Sequence, residues 1–150
     1  ALRDGHQVIE LALRVLHIGI AAAWFGHKLL VPSDLASSLG DQAAADALLP
    51  RVARAERLGQ VTGVGTLLTG LLLAWYLGFS TLGHGVWAGL GLVLVAIAIG
   101  ATVARPASNA LVAGVESGNL EAARTAAVRV QRVLAVESVL WAFALVAMLL

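Results

Sequence analysis

Two stretches of this sequence leave a folding chain little choice. Val61–Phe79 (VTGVGTLLTGLLLAWYLGF) and Gly85–Ala104 (GVWAGLGLVLVAIAIGATVA) contain no Asp, Glu, Lys or Arg. A helix rising 1.5 Å per residue crosses a hydrocarbon layer of about 30 Å in roughly 20 residues, and each stretch has that length. In hydrocarbon every backbone N–H and C=O has to be bonded inside the protein, which restricts spanning segments to helices or closed barrels. Helices are the outcome expected here. Two further stretches, Val8–Val31 and Val130–Leu150, reach the same length but carry ionisable groups: Glu10, Arg14, His17, His27 and Lys28 in the first, Arg132 and Glu137 in the last. The whole chain is 59% hydrophobic and 13% charged, against about 25% charged for soluble domains. The expectation is one all-α domain over residues 1–150, a four-helix up-and-down transmembrane bundle.

The connections set the topology. Only Ser80–His84 separates the second and third spans, which forces an antiparallel hairpin. Pro32-Ser33-Asp34 reads as a helix stop and restart, and Pro50 as an interruption of the Ala-rich segment that follows. Lys28, Arg51, Arg54 and Arg57 surround the first connection, and Arg105, Arg124, Arg129 and Arg132 the third. By the positive-inside rule those two connections are cytoplasmic and both termini lie outside. Trp75, Tyr76 and Trp87 flank the outer hairpin as an interfacial belt does.

Composition also excludes. There is no Cys, so disulfides, thiolate metal sites, Fe–S clusters and thioether-linked haem are ruled out. A net charge of +1 without a basic cluster leaves no footprint for nucleic acid. The first apolar stretch, broken by Glu10 and Arg14, does not read as a secretory signal. No P-loop, dinucleotide fingerprint, HExxH or GxSxG motif occurs.

Chemistry is concentrated on one helical face. At 100° per residue, His6, Glu10, Arg14, His17, Trp24 and Lys28 fall within about 80° of one another. Ionisable groups inside a membrane face the bundle interior or a water-filled cavity, and mark a functional site by default. His6 and Glu10 lie near the outer interface, Arg14 can snorkel outward, and Lys28 lies at the inner end. His17 is roughly 14 Å deep, beyond the reach of snorkelling. It is either a neutral imidazole bonded to a neighbouring helix or a ligand for haem iron or another metal. Glu137 is the second deep group, and Arg14 or His17 is its expected partner across neighbouring first and fourth helices. His6, Glu10 and His84 together offer nitrogen and oxygen ligands suited to copper or zinc at the outer face. Gly59-x3-Gly63, Thr62-x3-Thr66 and Gly85-x3-Gly89 let helix backbones approach closely, within one bundle or between chains.

The run Leu16-His17-Ile18-Gly19-Ile20-Ala21-Ala22-Ala23-Trp24-Phe25-Gly26, ending at Pro32, resembles the first helix of two groups of small bacterial membrane proteins. One is related to copper-resistance protein D; the other is the four-helix protoporphyrinogen oxidase of the J type. Arg57-Leu58-Gly59 and Leu67-Leu68-Thr69-Gly70 in the second span look like the matching helix, so that the likeness covers about half the chain. The J-type resemblance implies haem b held through His17, and the copper-resistance resemblance implies metal handling at the same helix. The third span departs from the J-type pattern, reading Leu82-Gly83-His84-Gly85-Val86-Trp87 with no Lys. The resulting expectation is a bacterial inner-membrane protein that binds haem b or copper in a redox or metal-handling role. His17, Arg14, Trp24 and Glu137 would form the cofactor site. Two other readings stand beside it: an accessory subunit or homo-oligomer docking through its glycine faces, and an oligomeric proton or small-solute carrier using Glu137 and His17.

Overall fold

The computed structural model describes residues 2–149, and these are almost wholly helical. Helix α1 runs Leu2–Ser38 and α2 Gln42–Leu77. A 3-10 turn at Phe79–Thr81 leads to α3, His84–Ile99. A π-helical turn at Gly100–Ala104 then joins α3 to α4, Arg105–Glu116, and α5 spans Leu120–Leu149. Among the described residues there is no strand. Four continuous rods are long and apolar enough to cross a membrane: Gly5–Leu35, Gln42–Leu77, His84–Glu116 and Leu120–Met148. A rod of 36 residues is about 54 Å long, so the helices extend well beyond the spans expected from sequence, chiefly at the basic end.

Neither proline breaks its helix, contrary to the expectation from sequence. Pro32 lies inside α1 and Pro50 inside α2. Packing outweighs each lost hydrogen bond. Leu35 and Leu39 are buried beyond Pro32, Leu48 and Val52 are buried on either side of Pro50, and Gln131 Nε2 donates to the Pro32 carbonyl at 3.0 Å. The third rod likewise passes through Arg105-Pro106. Proline clashes with the carbonyl four residues back, and the π turn just before it widens the backbone there: the Arg105 N–H reaches the Gly100 carbonyl.

The turns are locally encoded. Asp41 caps α2 by accepting from the Ala44 N–H at 2.8 Å. Arg124 donates to the Leu39 carbonyl at 2.9 and 3.1 Å, satisfying an end group of α1. The α4–α5 turn is a Schellman motif: Gly118 has φ +72, its N–H bonds the Val115 carbonyl, and the Asn119 N–H bonds the Gly114 carbonyl.

Helix α1 packs antiparallel on α2 and on α5, and α3 and α4 pack antiparallel on α5; α2 and α3, although consecutive and joined by a link of six residues, scarcely touch. The main core lies at the basic end, around Leu35, Leu48, Leu111, Val115, Ala123 and Val130. The apolar half holds only a small cluster of Trp24, Val93 and Ala144. Along that half Val15, Ile18, Leu68, Val139 and Phe143 stay on the outside, as expected of surfaces that lipid tails would cover without driving them together.

Candidate functional site: a buried ion pair beside an interhelical cleft

The glycines of α2 form sockets for bulky side chains of α1. A Cβ at Gly59 would lie 2.9 Å from His27 Nε2, at Gly63 3.2 Å from the Trp24 ring, at Gly65 3.1 Å from Ile20, and at Gly70 2.9 Å from His17 Cε1. The small-x3-small pattern is thus filled within the chain along this seam, and Gly89 is likewise filled by Met148 of α5. Seating Trp24 against Gly63 fixes the next turn of α1. One turn on, the Lys28 ammonium lies 4.6 Å from the Trp24 ring centroid, a cation–π contact.

Lys28 forms an ion pair with Glu137 Oε2 of α5. Both side chains are buried, at 7% and 3% exposure. This corrects the expectation that Glu137 meets Arg14 or His17. Arg14 lies 14 positions before Lys28 on the same helix, about 21 Å away along its axis. It pairs instead with Glu10 at 2.8 Å, half exposed. His17 meets Thr69 of α2, Nδ1 to Oγ1 at 3.0 Å. The Thr69 hydroxyl donates to the Gly65 carbonyl at 2.7 Å, so its lone pair accepts from an Nδ1–H on His17, and Nε2 is the bare acceptor.

The second carboxylate oxygen of Glu137, Oε1, is buried without a hydrogen-bond partner. It faces Gly100, the first residue of the π turn, where a Cβ would stand 3.0 Å away. Single-turn π segments inside α-helices occur frequently at functional sites. Measured back from Arg105 and Arg132, the pair is about 7 Å inside the charge-free layer.

Where α2 and α3 diverge, a cleft of about 460 Å³ opens, and Trp24, Lys28, Glu137 and Gly100 line it. Val64, Leu67, Ala96, Ile97 and Leu134 make its walls apolar, while Glu56, Gln60, Arg105 and Ser108 line it towards the basic end. A second groove, of about 300 Å³, runs along α1 and α2 past Leu30, Asp34 and Arg54. His27 belongs to both linings, and its Nδ1 has no partner. His17 lines neither.

Of the residues singled out in the sequence, the structure brings Trp24 and Glu137 together and leaves Arg14 and His17 elsewhere on α1. His6 Nδ1 sits 2.9 Å from Tyr76 Oη, which donates to the His6 carbonyl. Glu10 is taken by Arg14, and His84 starts α3 in an exposed position. Among the described residues no three His, Cys, Asp or Glu side chains gather as a metal ion would require. Lys28 stands on the polar face read from the sequence, but there as an inner-end residue outside the expected cofactor set, although its i+4 spacing from Trp24 is legible. Gly100 is legible only as one of the small residues of the third span.

The chain matches no family model, no curated protein and no solved structure. Its function therefore rests on the chemistry of the pair and of the cleft.

Proposed function

We propose that this chain is a multi-pass protein of a bacterial cytoplasmic membrane, with its basic end in the cytoplasm and both termini outside. In that setting it binds a small amphipathic molecule from the bilayer, the apolar body lying in the α2–α3 cleft and the polar head at Lys28 and Glu137. One observation carries the reading: an almost fully buried ion pair stands among the residues that line an otherwise largely apolar cleft. Burying an ion pair gains little stability over an apolar replacement, so stability alone does not account for a pair at this depth. A volume of about 460 Å³ lies in the usual range for small-molecule sites, which are mostly apolar with a few placed polar groups.

The test is photoaffinity labelling of the protein in nanodiscs with an alkyl diazirine probe. Labels should concentrate on Leu67, Ile97 and Leu134, and Leu67→Trp, which narrows the cleft, should remove them. Labels spread evenly over the exposed Val15, Ile18 and Val139, and indifferent to Leu67→Trp, would refute the reading.

A second reading keeps His17. With Nδ1 donating to Thr69, Nε2 is the nitrogen left to ligate. Haem b held there should give the gently purified protein a Soret band that His17→Ala abolishes and His84→Ala leaves intact. A protein without chromophore or metal would end this reading and leave the first untouched.

A further inference from the structure

We infer that the basic end carries a belt for lipid phosphates, in which Arg54 holds an anionic phospholipid whose acyl chain lies in the α1–α2 groove. This rests on the membrane reading above and needs no ligand in the α2–α3 cleft.

The cations of the chain divide into two sets. Arg14 bonds Glu10, Lys28 bonds Glu137, Arg51 bonds Asp34 and Ser38, and Arg124 bonds the Leu39 carbonyl. Among the described residues no ion pair engages Arg54, Arg57, Arg105, Arg129 or Arg132, and all five are exposed. The unpaired five share one layer. Gly59 faces His27, and Gly100 faces Glu137, which fixes α2, α3 and α5 against the Lys28–Glu137 pair. Counted from there, the five arginines lie from about 2 to about 12 Å to its basic side. They come from three of the four rods, as contact with a bilayer surface requires; a protein partner would need them gathered on one side.

The acids stand elsewhere. Asp46 and Glu121 are exposed eight residues beyond Arg54 and Arg129, about 12 Å further along, with Asp41 and Glu116 at the same end. The field of an anionic surface favours each nearby Arg and fades within about 8 Å at physiological salt. The belt is inside its reach and these acids are outside it. Within the layer, Asp34 is taken by Arg51 at 2.6 Å, and Glu56, two residues from Arg54, lies on the opposite side of α2 and lines the cleft.

Arg54 is the best seated of the five. The groove between α1 and α2 runs from His27 past Leu30, Val31 and Leu58 to Arg54, and Leu30 and Leu58 are exposed. A guanidinium presents paired N–H donors that match phosphate oxygens. A chain attached to that phosphate runs from Arg54 along these apolar walls, which a free phosphate would leave bare.

The experiment uses the full chain in phosphatidylcholine nanodiscs with a trace of phosphatidylglycerol or phosphatidylcholine carrying a diazirine on an acyl chain. The two lipids share the phosphate, but choline brings a cation among the arginines. Phosphatidylglycerol should label Leu30 and Leu58 about tenfold more, the gain of one hydrogen bond to a charged group. Arg54→Gln should remove that excess, Arg54→Lys should retain most of it, and Arg14→Gln at the outer end should leave it unchanged. Inorganic phosphate, at an ionic strength held constant with chloride, should not displace the label. An excess that survives Arg54→Gln or falls equally in Arg14→Gln overturns the proposal, as does displacement by inorganic phosphate. Equal labelling by the two lipids overturns it too, and would turn the belt over to an acidic protein partner. A chain that fails to enter the nanodisc overturns the membrane reading with it.

Discussion

Removing the carboxylate of Glu137 should destabilise the bundle more than removing both members of its ion pair. Glu137→Gln leaves Lys28 charged at 7% exposure. Stranding one partner of a buried pair costs about 3–5 kcal/mol in soluble proteins. Trp24 continues to hold the ammonium, and a cation–π contact of this kind retains about 1–2 kcal/mol. The expected loss is therefore about 1–4 kcal/mol, and Lys28→Met, which strands the carboxylate, should cost at least as much. The double variant Lys28→Met/Glu137→Leu buries no charge and should lie within about 1 kcal/mol of the parent. The assay is unfolding by dodecyl sulfate in mixed micelles, followed by tryptophan fluorescence and analysed as a double-mutant cycle. Additive single costs, with the double variant as unstable as their sum, would show that the two charges do not stabilise each other.

Two further outcomes follow from the fold. Cysteines at Ala43 and Glu116, both exposed at the basic end, should react with a membrane-impermeant maleimide only after the cytoplasmic side is opened. One at Ser80 should react from outside, and the reverse pattern would invert the proposed orientation. Gly114→Ala would place a Cβ 2.7 Å from the Ala123 nitrogen and should cost about 1–3 kcal/mol by forcing α4 and α5 apart. Gly19→Ala, with nothing within 4 Å, should instead stabilise by roughly 0.5–1 kcal/mol. Equal thermal midpoints for these two variants would contradict the described packing.

What the sequence determined by itself was the set of spanning helices. Charge-free segments such as Val61–Phe79 have one solution in hydrocarbon, because the backbone must bond to itself whatever the neighbours do. Capping at Asp41 and the glycine turn at Gly118 were fixed just as locally. The glycine spacing on α2 announced a close seam without naming its partner. Tertiary structure decided the rest. Pro32 and Pro50 stay helical because leucines and valines around them are buried by other elements, which no local propensity reports. Glu137 chose Lys28 over Arg14 because the axial register of α1 against α5 puts the first at its level and the second about 21 Å away. The cleft exists because α2 packs on α1 while α3 packs on α5. Sequence periodicity assigns a residue to a face of its own helix, but which charge stands opposite it depends on how far two helices slide along each other before their side chains interlock.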